Sequence, residues 1–267
     1  MAIPFPGPAG RLLRAVLAGL CLAVYADAGP AADPLRYGRL PVRVYNDRDG
    51  LPQNSVETVT FDREGYLWAG TQDGAVRWDG RAFQVLPMPR PTRSSWVVAH
   101  LVASDGSHWF GTRGDGLQHY KDGTWTSYGT PEGFPDAQCI ALAEGADEGG
   151  RPVIWAGTQE HGLVLVRDGR ILPQPGPPDR PFRRVNALYA TAAEDGTARL
   201  WVGTEAGALA LERGRWQAYD HRDYGLPTDQ VFSFLETGEG PSRALWIGTE
   251  RGIARRSAHE RLTSARG

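Results

Sequence analysis

The stretch Leu67-Trp68-Ala69-Gly70-Thr71-Gln72-Asp73-Gly74-Ala75-Val76 decides the fold, because the chain repeats its Trp-x-Gly-Thr core five times. The tryptophan and glycine of the five copies are Trp68 and Gly70, Trp109 and Gly111, Trp155 and Gly157, Trp201 and Gly203, and Trp246 and Gly248. Successive tryptophans are 41, 46, 46 and 45 residues apart. A fixed period in this range, with short strands, is typical of the blades of a β-propeller.

Glycines divide each repeat into four short strands. In the first repeat the turns lie near Gly65, Gly74 and Gly80, and Asp-Gly pairs suit tight hairpins because glycine accepts positive φ without strain. Side chains alternate along a strand, so Trp68 and Gly70 share one face. The glycine leaves room beside the indole for a neighbouring sheet, and we expect the five tryptophans to lie between blades.

Composition excludes several other classes of protein. The 267 residues include 34 glycines and 20 prolines, too many for a helical protein, and they recur at regular turn positions. The formal net charge is -2, with lysine and arginine spread along the chain, so the sequence predicts no nucleic-acid groove.

The first 28 residues have the pattern of an export signal. Arg11 and Arg14 flank the start of an apolar run of about 11 residues, which ends before the small-x-small pattern Ala26-Asp27-Ala28. A membrane-spanning helix needs about 20 apolar residues, although an uncleaved anchor is the alternative. The sequence therefore predicts a periplasmic or extracellular protein with a signal peptide at 1–28, a flexible linker at 29–39 and no span in the mature chain.

The repeats predict an all-β domain, a β-propeller, at 40–256. Its blades are expected at about 50–86, 91–128, 133–173, 181–219 and 225–256, followed by an irregular tail at 257–267. A lone strand pattern at 42–45 is able to complete the last blade and close a five-bladed ring, which would hide both sheet edges. The same strand count fits a truncated larger propeller, so the sequence leaves closure open.

The repeat resembles a known family. The order Gly-Leu-Pro-x-Asn/Asp-x-Val, then Trp-x-Gly-Thr-x-x-Gly, then Asp-Gly is similar to the two-component regulator propeller repeat, and its best copy runs from Gly50 to Gly80. The resemblance covers 42–256. It implies the extracytoplasmic sensing part of receptors whose later segments carry a membrane helix and a histidine kinase or diguanylate cyclase. Propellers of this family commonly have seven blades, whereas this sequence shows five repeats.

No catalytic, metal or cofactor motif is found, so binding residues are sought on the rim where the Gly-Leu-Pro connections and the Thr-x-x-Gly hairpins meet. The candidates for a polar ligand are Asn54, Trp96, Arg113, Asp115, Gln138, His161, Arg184, Asp229 and Arg251. Trp96 offers a stacking face. The alternative for each is structural: Asn54 and Asp229 cap their own turns, and Trp96 covers an apolar centre.

These observations favour a non-catalytic sensor propeller as the input module of a two-component or cyclic-di-GMP signalling system, here without its output domain. The expected ligand is a small molecule, glycan or peptide, and the expected partner is a membrane sensor kinase or cyclase. Two alternatives stay open. One is an enzyme on the same scaffold that resembles virginiamycin B lyase, and the other is a passive protein-interaction propeller.

Overall fold

The computed structural model describes residues 42–89, 95–147, 149–193, 196–238, 240–257 and 263–264. The predicted signal peptide and linker lie outside these residues. The chain divides into two compact units, Met1–Val44 and Tyr45–Gly267, and the strands that the structure describes belong to the second.

Five antiparallel sheets of four strands form the second unit, as the sequence predicts, and we call them blades 1 to 5. Blade 1 contains β1 (Val56–Phe61), β2 (Leu67–Thr71), β3 (Gly74–Trp78) and β4 (Phe83–Val85). Blade 2 contains β5 (Val97–Val102), β6 (His108–Thr112), β7 (Leu117–Lys121) and β8 (Thr124–Tyr128). Blade 3 contains β9 (Cys139–Ala146), β10 (Pro152–Thr158), β11 (Leu163–Arg167) and β12 (Arg170–Gln174). Blade 4 contains β13 (Val185–Ala192), β14 (Ala198–Thr204), β15 (Gly207–Glu212) and β16 (Arg215–Tyr219), and blade 5 contains β17 (Val231–Thr237), β18 (Ala244–Thr249), β19 (Gly252–Ser257) and β20 (Thr263–Ser264).

The core lies between successive blades. The first strands β1, β5, β9, β13 and β17 follow one another side by side in chain order. Trp68, Trp109, Trp155 and Trp201 are buried, as expected for indoles packed between sheets. Burial of such a ring stabilises the fold by about 3 kcal/mol. Trp246 in blade 5 is only half-buried, so the fifth indole does not lie between two sheets as predicted.

The strand expected at 42–45 is not formed, and this prediction is wrong. Residues 42–46 are not part of any sheet, and Val42 and Val44 are exposed. The fourth strand of blade 5 is instead β20, which pairs antiparallel with β19 within the tail predicted to be irregular. A strand close in sequence closes a much shorter loop than one some 200 residues away, so its pairing costs less chain entropy.

Tyr45, within this segment, packs against blade 1. Its ring centroid lies 5.0 Å from that of Trp78 and 5.6 Å from that of Phe83. The chain then turns through a short 3-10 helix, Asp47–Asp49, into the Gly50-Leu51-Pro52 connection, where Leu51 is buried. The aromatic contacts therefore fix the entry of the chain into the first blade.

Candidate ligand-binding site

The hairpins on the predicted binding rim share one hydrogen-bond arrangement. In every blade the threonine Oγ1 of the Trp-x-Gly-Thr motif donates to the carbonyl of the glycine that follows it by three or four residues. The pairs are Thr71 and Gly74, Thr112 and Gly116, Thr158 and Gly162, Thr204 and Gly207, and Thr249 and Gly252, at 2.8 to 3.0 Å. The threonine is therefore a turn-forming residue and not a free ligand group.

The hairpins of blades 2, 3 and 4 are also attached to the connection leading into the next blade. The backbone N–H of Gly162 donates to the carbonyl of Arg183 at 2.6 Å, and that of Gly207 donates to the carbonyl of Asp229 at 2.8 Å. The N–H of Gly116 makes the same bond to Ala137. These bonds hold the rim of neighbouring blades together, so side chains on it project from a fixed backbone.

Asn54 and Asp229 occupy equivalent positions after Gly-Leu-Pro and make equivalent contacts. The backbone N–H of Asp47 donates to Asn54 Oδ1 at 2.7 Å, and that of His221 donates to Asp229 Oδ1 at 2.9 Å. His221 Nδ1 lies 2.7 Å from Asp229 Oδ2 as well. Both side chains thus bind the preceding loop, which is the structural role considered for them from the sequence.

Trp96 and Arg113 are two predicted site residues that the structure brings into contact. The Arg113 guanidinium lies 4.7 Å from the centroid of the Trp96 ring, and Trp96 Nε1 donates to Glu57 Oε1 at 3.1 Å. The cation therefore covers the aromatic face that the sequence suggested for stacking. A ligand that stacks on Trp96 would have to displace Arg113.

A buried carboxylate organises the rim of blade 3. Asp136 Oδ1 accepts from the backbone N–H of Gln138 at 3.0 Å, and Oδ2 accepts from that of Glu160 at 2.8 Å. His161 Nδ1 lies 3.3 Å from Asp136 Oδ2. Sequence reasoning singled out Gln138 and His161 but missed Asp136. Its position after Gly-Phe-Pro was the available signal.

The other predicted site residues belong to the same connections and hairpins. Arg184 donates its backbone N–H to Glu205 Oε1 at 3.4 Å, Asp115 donates its own to Thr112 Oγ1 at 2.9 Å, and Arg251 is exposed. The nine candidates are thus distributed over the connections and hairpins of all five blades.

A cavity of about 390 Å³ lies between blades 4 and 5, and no sequence argument pointed to it. It is at the end of the blades opposite the Thr-x-x-Gly hairpins, beside the β13–β14 and β17–β18 turns. Its wall contains Thr191, Arg199, Trp201, Glu212, Glu236, Arg243 and Arg256. Five of the ten lining residues are charged, which distinguishes the cavity from the apolar packing between the other sheets.

Two ion pairs order this cavity. Arg199 lies 2.6 Å from Glu212, its cross-strand partner in β15, and Arg243 lies 2.5 Å from Glu236. Thr191 of blade 4 donates to Glu236 of blade 5 at 2.9 Å, and Arg243 also bonds the same hydroxyl. Burial raises the pKa of Glu236, but the hydrogen bonds from Arg243 and Thr191 outweigh burial and lower it.

Arg256 contributes the remaining charge. Its guanidinium lies 5.7 Å from the Trp201 ring centroid and 5.9 Å from that of Tyr219. In the part of the chain that the structure describes, no carboxylate forms an ion pair with Arg256. Among the described residues that line the cavity, three arginines stand against two glutamates, an excess of one positive charge. Such a wall favours a small anion with hydrogen-bonding groups.

Comparisons with known proteins agree with this fold. Residues 44–73 match the family model of the two component regulator propeller, which confirms the repeat recognised in the sequence. No curated protein matches the chain.

Three solved structures show the likeness. The extracellular domain of BT3049 from B. thetaiotaomicron, named as a hybrid two component system, gives a TM-score of 0.66 at 21% identity and covers 83% of this chain and 31% of that chain. The extracellular domain of BT4673 from B. thetaiotaomicron, named as a one component system, gives a TM-score of 0.60 at 18% identity. The match covers 86% of this chain and 29% of that chain. Virginiamycin B lyase from Staphylococcus aureus gives a TM-score of 0.62 at 18% identity. The match covers 79% of this chain and 70% of that chain.

The chain spans about a third of the length of the two extracellular domains. At these identities the likeness shows the fold. No helix among the described residues has the length and apolar character needed to cross a membrane. The chain is thus an all-β propeller protein that carries a two component regulator propeller repeat at residues 44–73.

Proposed function

We propose that this chain is a non-catalytic, ligand-binding sensor propeller that acts outside the cytoplasm as the input module of a two-component or cyclic-di-GMP signalling system. The observation that carries the proposal is the combination of the regulator propeller repeat with a fold similar to extracellular domains of signalling systems. Kinase or cyclase activity is expected of a separate module, since the described strands all belong to the five blades.

The ligand site we propose is the cavity between blades 4 and 5. Its volume of about 390 Å³ is within the range of small-molecule sites. Arg199 and Arg243 are already paired with glutamates, which fixes their positions, and Arg256 is left to bind an anionic group. The glutamate oxygens and the Thr191 hydroxyl would accept or donate hydrogen bonds to hydroxyl or amide groups. We therefore expect a small organic carboxylate, such as an acidic sugar or a peptide C-terminus.

Thermal unfolding in the presence of small carboxylates tests this site. We expect at least one acid to raise Tm of the wild-type protein and to have no effect on Arg256→Gln. The matched control is Arg251→Gln, which removes an exposed arginine from the opposite rim and should keep the response. A response that survives Arg256→Gln but is lost in Arg113→Gln would place the ligand on the rim predicted from the sequence instead.

Export is the second part of the proposal. The apolar segment at 1–28 should direct the chain out of the cytoplasm, and fractionation of cells that express the full chain measures this directly. The mature protein should appear in the periplasm or the medium with the segment removed. A protein found in the cytoplasm with an intact N-terminus would contradict the extracytoplasmic assignment.

An enzyme on this scaffold is the second candidate, and the likeness to virginiamycin B lyase favours it. The likeness is one of fold. Among the residues that the structure describes, no group of three or more histidine, cysteine or acidic side chains is placed to hold a metal ion. Elemental analysis of the purified protein tests the candidate: a stoichiometric divalent metal would support it over the sensor.

A further inference from the structure

Neighbouring blades are joined by one contact that recurs four times. The glycine of Trp-x-Gly-Thr receives the first residue of the next blade so closely that a Cβ on it would overlap that residue. A Cβ would lie 2.6 Å from Val97 at Gly70, 2.5 Å from the Cys139 carbonyl at Gly111, 2.5 Å from Val185 at Gly157 and 2.9 Å from Val231 at Gly203. Real Cβ atoms do not approach this closely. Each interface therefore depends on a glycine notch in one blade and a fitted residue from the next.

Among the residues that the structure describes, none from another blade supplies the atoms nearest to the notch of blade 5. The three atoms nearest to a Cβ on Gly248 all belong to Ser233 of its own sheet. Around the notch lie Leu235, 59% exposed, Ile253, 47% exposed, and the half-buried Trp246. The residues equivalent to Ile253, namely Ala75, Leu117, Leu163 and Ala208, are buried. We call this surface, formed by Leu235, Trp246, Gly248 and Ile253, the trailing face.

The complementary surface is open on blade 1. Val56 is the equivalent of Val97, Cys139, Val185 and Val231, all fully buried, yet it is 42% exposed. On the same side of β1, Val59 is 62% and Phe61 is 67% exposed. We call Val56, Val59 and Phe61 the leading face. Blade 5 is therefore not seated on blade 1 through the contact that joins the other blades.

We propose that the trailing face of one copy of the chain docks on the leading face of a second copy, with Val56 entering the Gly248 notch. The occupant is argued from the chain itself. Within the chain, four interfaces join the notch face of one blade to the first-strand face of the next. The trailing face of blade 5 and the leading face of blade 1 are the two equivalent surfaces that are not joined in this way. Apolar side chains of this size and number on sheet faces are normally covered.

The contact is head-to-tail, because two different surfaces meet. A dimer formed by this contact still has one open trailing face and one open leading face. The association is therefore able to continue, or to close where the curvature of the blades permits. Hydrophobic burial drives it, so it should tolerate salt, unlike an association through surface charges.

The experiment measures molar mass by light scattering during size-exclusion chromatography, over about a hundredfold range of concentration. The proteins are wild type, Val56→Asp in the leading face, Leu235→Asp in the trailing face, and Thr126→Asp as a control. Thr126 is an exposed residue of β8 in blade 2, so its substitution introduces the same charge without touching either face. We expect wild type and Thr126→Asp to reach at least twice the monomer mass, and both face variants to remain monomers.

Mixing the two face variants distinguishes this arrangement from other dimers. Val56→Asp keeps an intact trailing face and Leu235→Asp keeps an intact leading face, so the mixture should form one heterodimer and stop there. In a symmetric dimer the same face of both copies would meet. Mixing the two variants would then not restore association. Far-ultraviolet circular dichroism checks that both variants are folded.

Two results would overturn the proposal. One is a wild-type protein that stays monomeric at every concentration, which would mean that the faces are covered within the chain or by a different partner. The other is association of wild type that persists in folded Val56→Asp, since the contact would then lie elsewhere on the surface.

Discussion

Val231, the first residue of blade 5, packs so closely on Gly203 of blade 4 that a Cβ on the glycine would lie 2.9 Å from a Val231 methyl carbon. The valine is completely buried there. Such a fit leaves no space for a larger residue in the notch, because protein interiors are packed at crystal-like density. The same relationship explains why the glycine accompanies the tryptophan in the first four repeats, and it makes the interface between blades testable.

The first prediction concerns the notch itself. Gly157→Ala should lower the free energy of unfolding by about 2 kcal/mol, because the new methyl group would lie 2.5 Å from Val185 in a packed interface. Gly248→Ala is the matched control and should change it by less than about 1 kcal/mol, since only the Ser233 side chain has to move. Urea titration at low protein concentration measures both. Equal losses in the two variants would contradict the notch model.

The second prediction concerns the hairpin threonines. Thr158→Val should destabilise the protein by about 1.5 kcal/mol, because the buried Thr158 Oγ1 both donates to the Gly162 carbonyl and accepts from the His161 N–H. Thr249→Val removes the equivalent bond in the exposed last hairpin, where water replaces it, so a smaller loss is expected. Chemical unfolding at neutral pH compares them. A larger effect at Thr249 would show that solvent exposure does not control this bond.

The third prediction concerns pH. His100 Nε2 lies 3.1 Å from His108 Nδ1 between blades 1 and 2, and burial, reinforced by His108 and opposed by Asp62, lowers the pKa of His100 to about 3. The unfolded chain binds a proton near pH 6.5 that the folded chain does not, so stability falls as pH falls below that value. Between pH 7 and pH 5 the loss from this group is about 2 kcal/mol.

His100→Leu isolates that contribution. The variant should lose less stability than wild type between pH 7 and pH 5, because leucine does not titrate, and denaturant midpoints at the two pH values give the difference. His221→Leu is the control, since His221 is an exposed rim residue paired with Asp229. If wild type and His100→Leu showed the same pH dependence, the buried imidazole would not be responsible.

The fourth prediction concerns the cavity. Arg243 bonds Glu236 and the Thr191 hydroxyl of the neighbouring blade, so Arg243→Gln should lower the free energy of unfolding by about 2 kcal/mol at pH 7. The pKa of Glu236 is lowered in the fold, so its contribution is present above about pH 4.3 and is lost as pH falls through the folded value. The difference in the free energy of unfolding between Arg243→Gln and wild type should therefore become smaller in acid.

Arg151→Gln is the matched control for that variant. Arg151 also pairs with a carboxylate, Asp147, but its side chain is 63% exposed. Exposed ion pairs contribute about 0 to 1 kcal/mol, so the loss should be small. An Arg151 effect as large as that of Arg243 would mean that the link between blades 4 and 5 has no special importance.

The local sequence accounts for much of the fold. The pair Trp68 and Gly70 occurs four more times along the chain. It predicts a strand in each blade and the face of that strand that meets the neighbouring sheet, because side-chain alternation places both residues on one face. Turns that contain glycine separate the four strands in blades 1 to 4. These features depend on neighbours within about ten residues, and such local signals are readable from one chain. The last strand could not be predicted in this way. The sequence near Thr263 lacks the repeat pattern, yet Thr263 pairs with β19.

The candidate site shows the opposite case. Asn54 and Asp229 are polar residues on a predicted rim, and only the structure shows that they bind the preceding loop. Arg199 and Glu212 are a cross-strand pair within one sheet, whereas Glu236 and Arg243 come from the next blade. Their meeting around one cavity depends on the angle and spacing of two sheets, which no residue pattern within a repeat records.

The sequence by itself determined the five repeats, the strands of the first four blades and the glycine that accompanies each indole, since these follow from short-range alternation and turn chemistry. Only the tertiary structure decided that Gly248 and Val56 do not meet, that Thr263–Ser264 completes the last blade, and that Arg256 lies over Trp201 beside a charged cavity. The physical reason is that contacts between sheets depend on their relative placement, and small differences in that placement add from blade to blade.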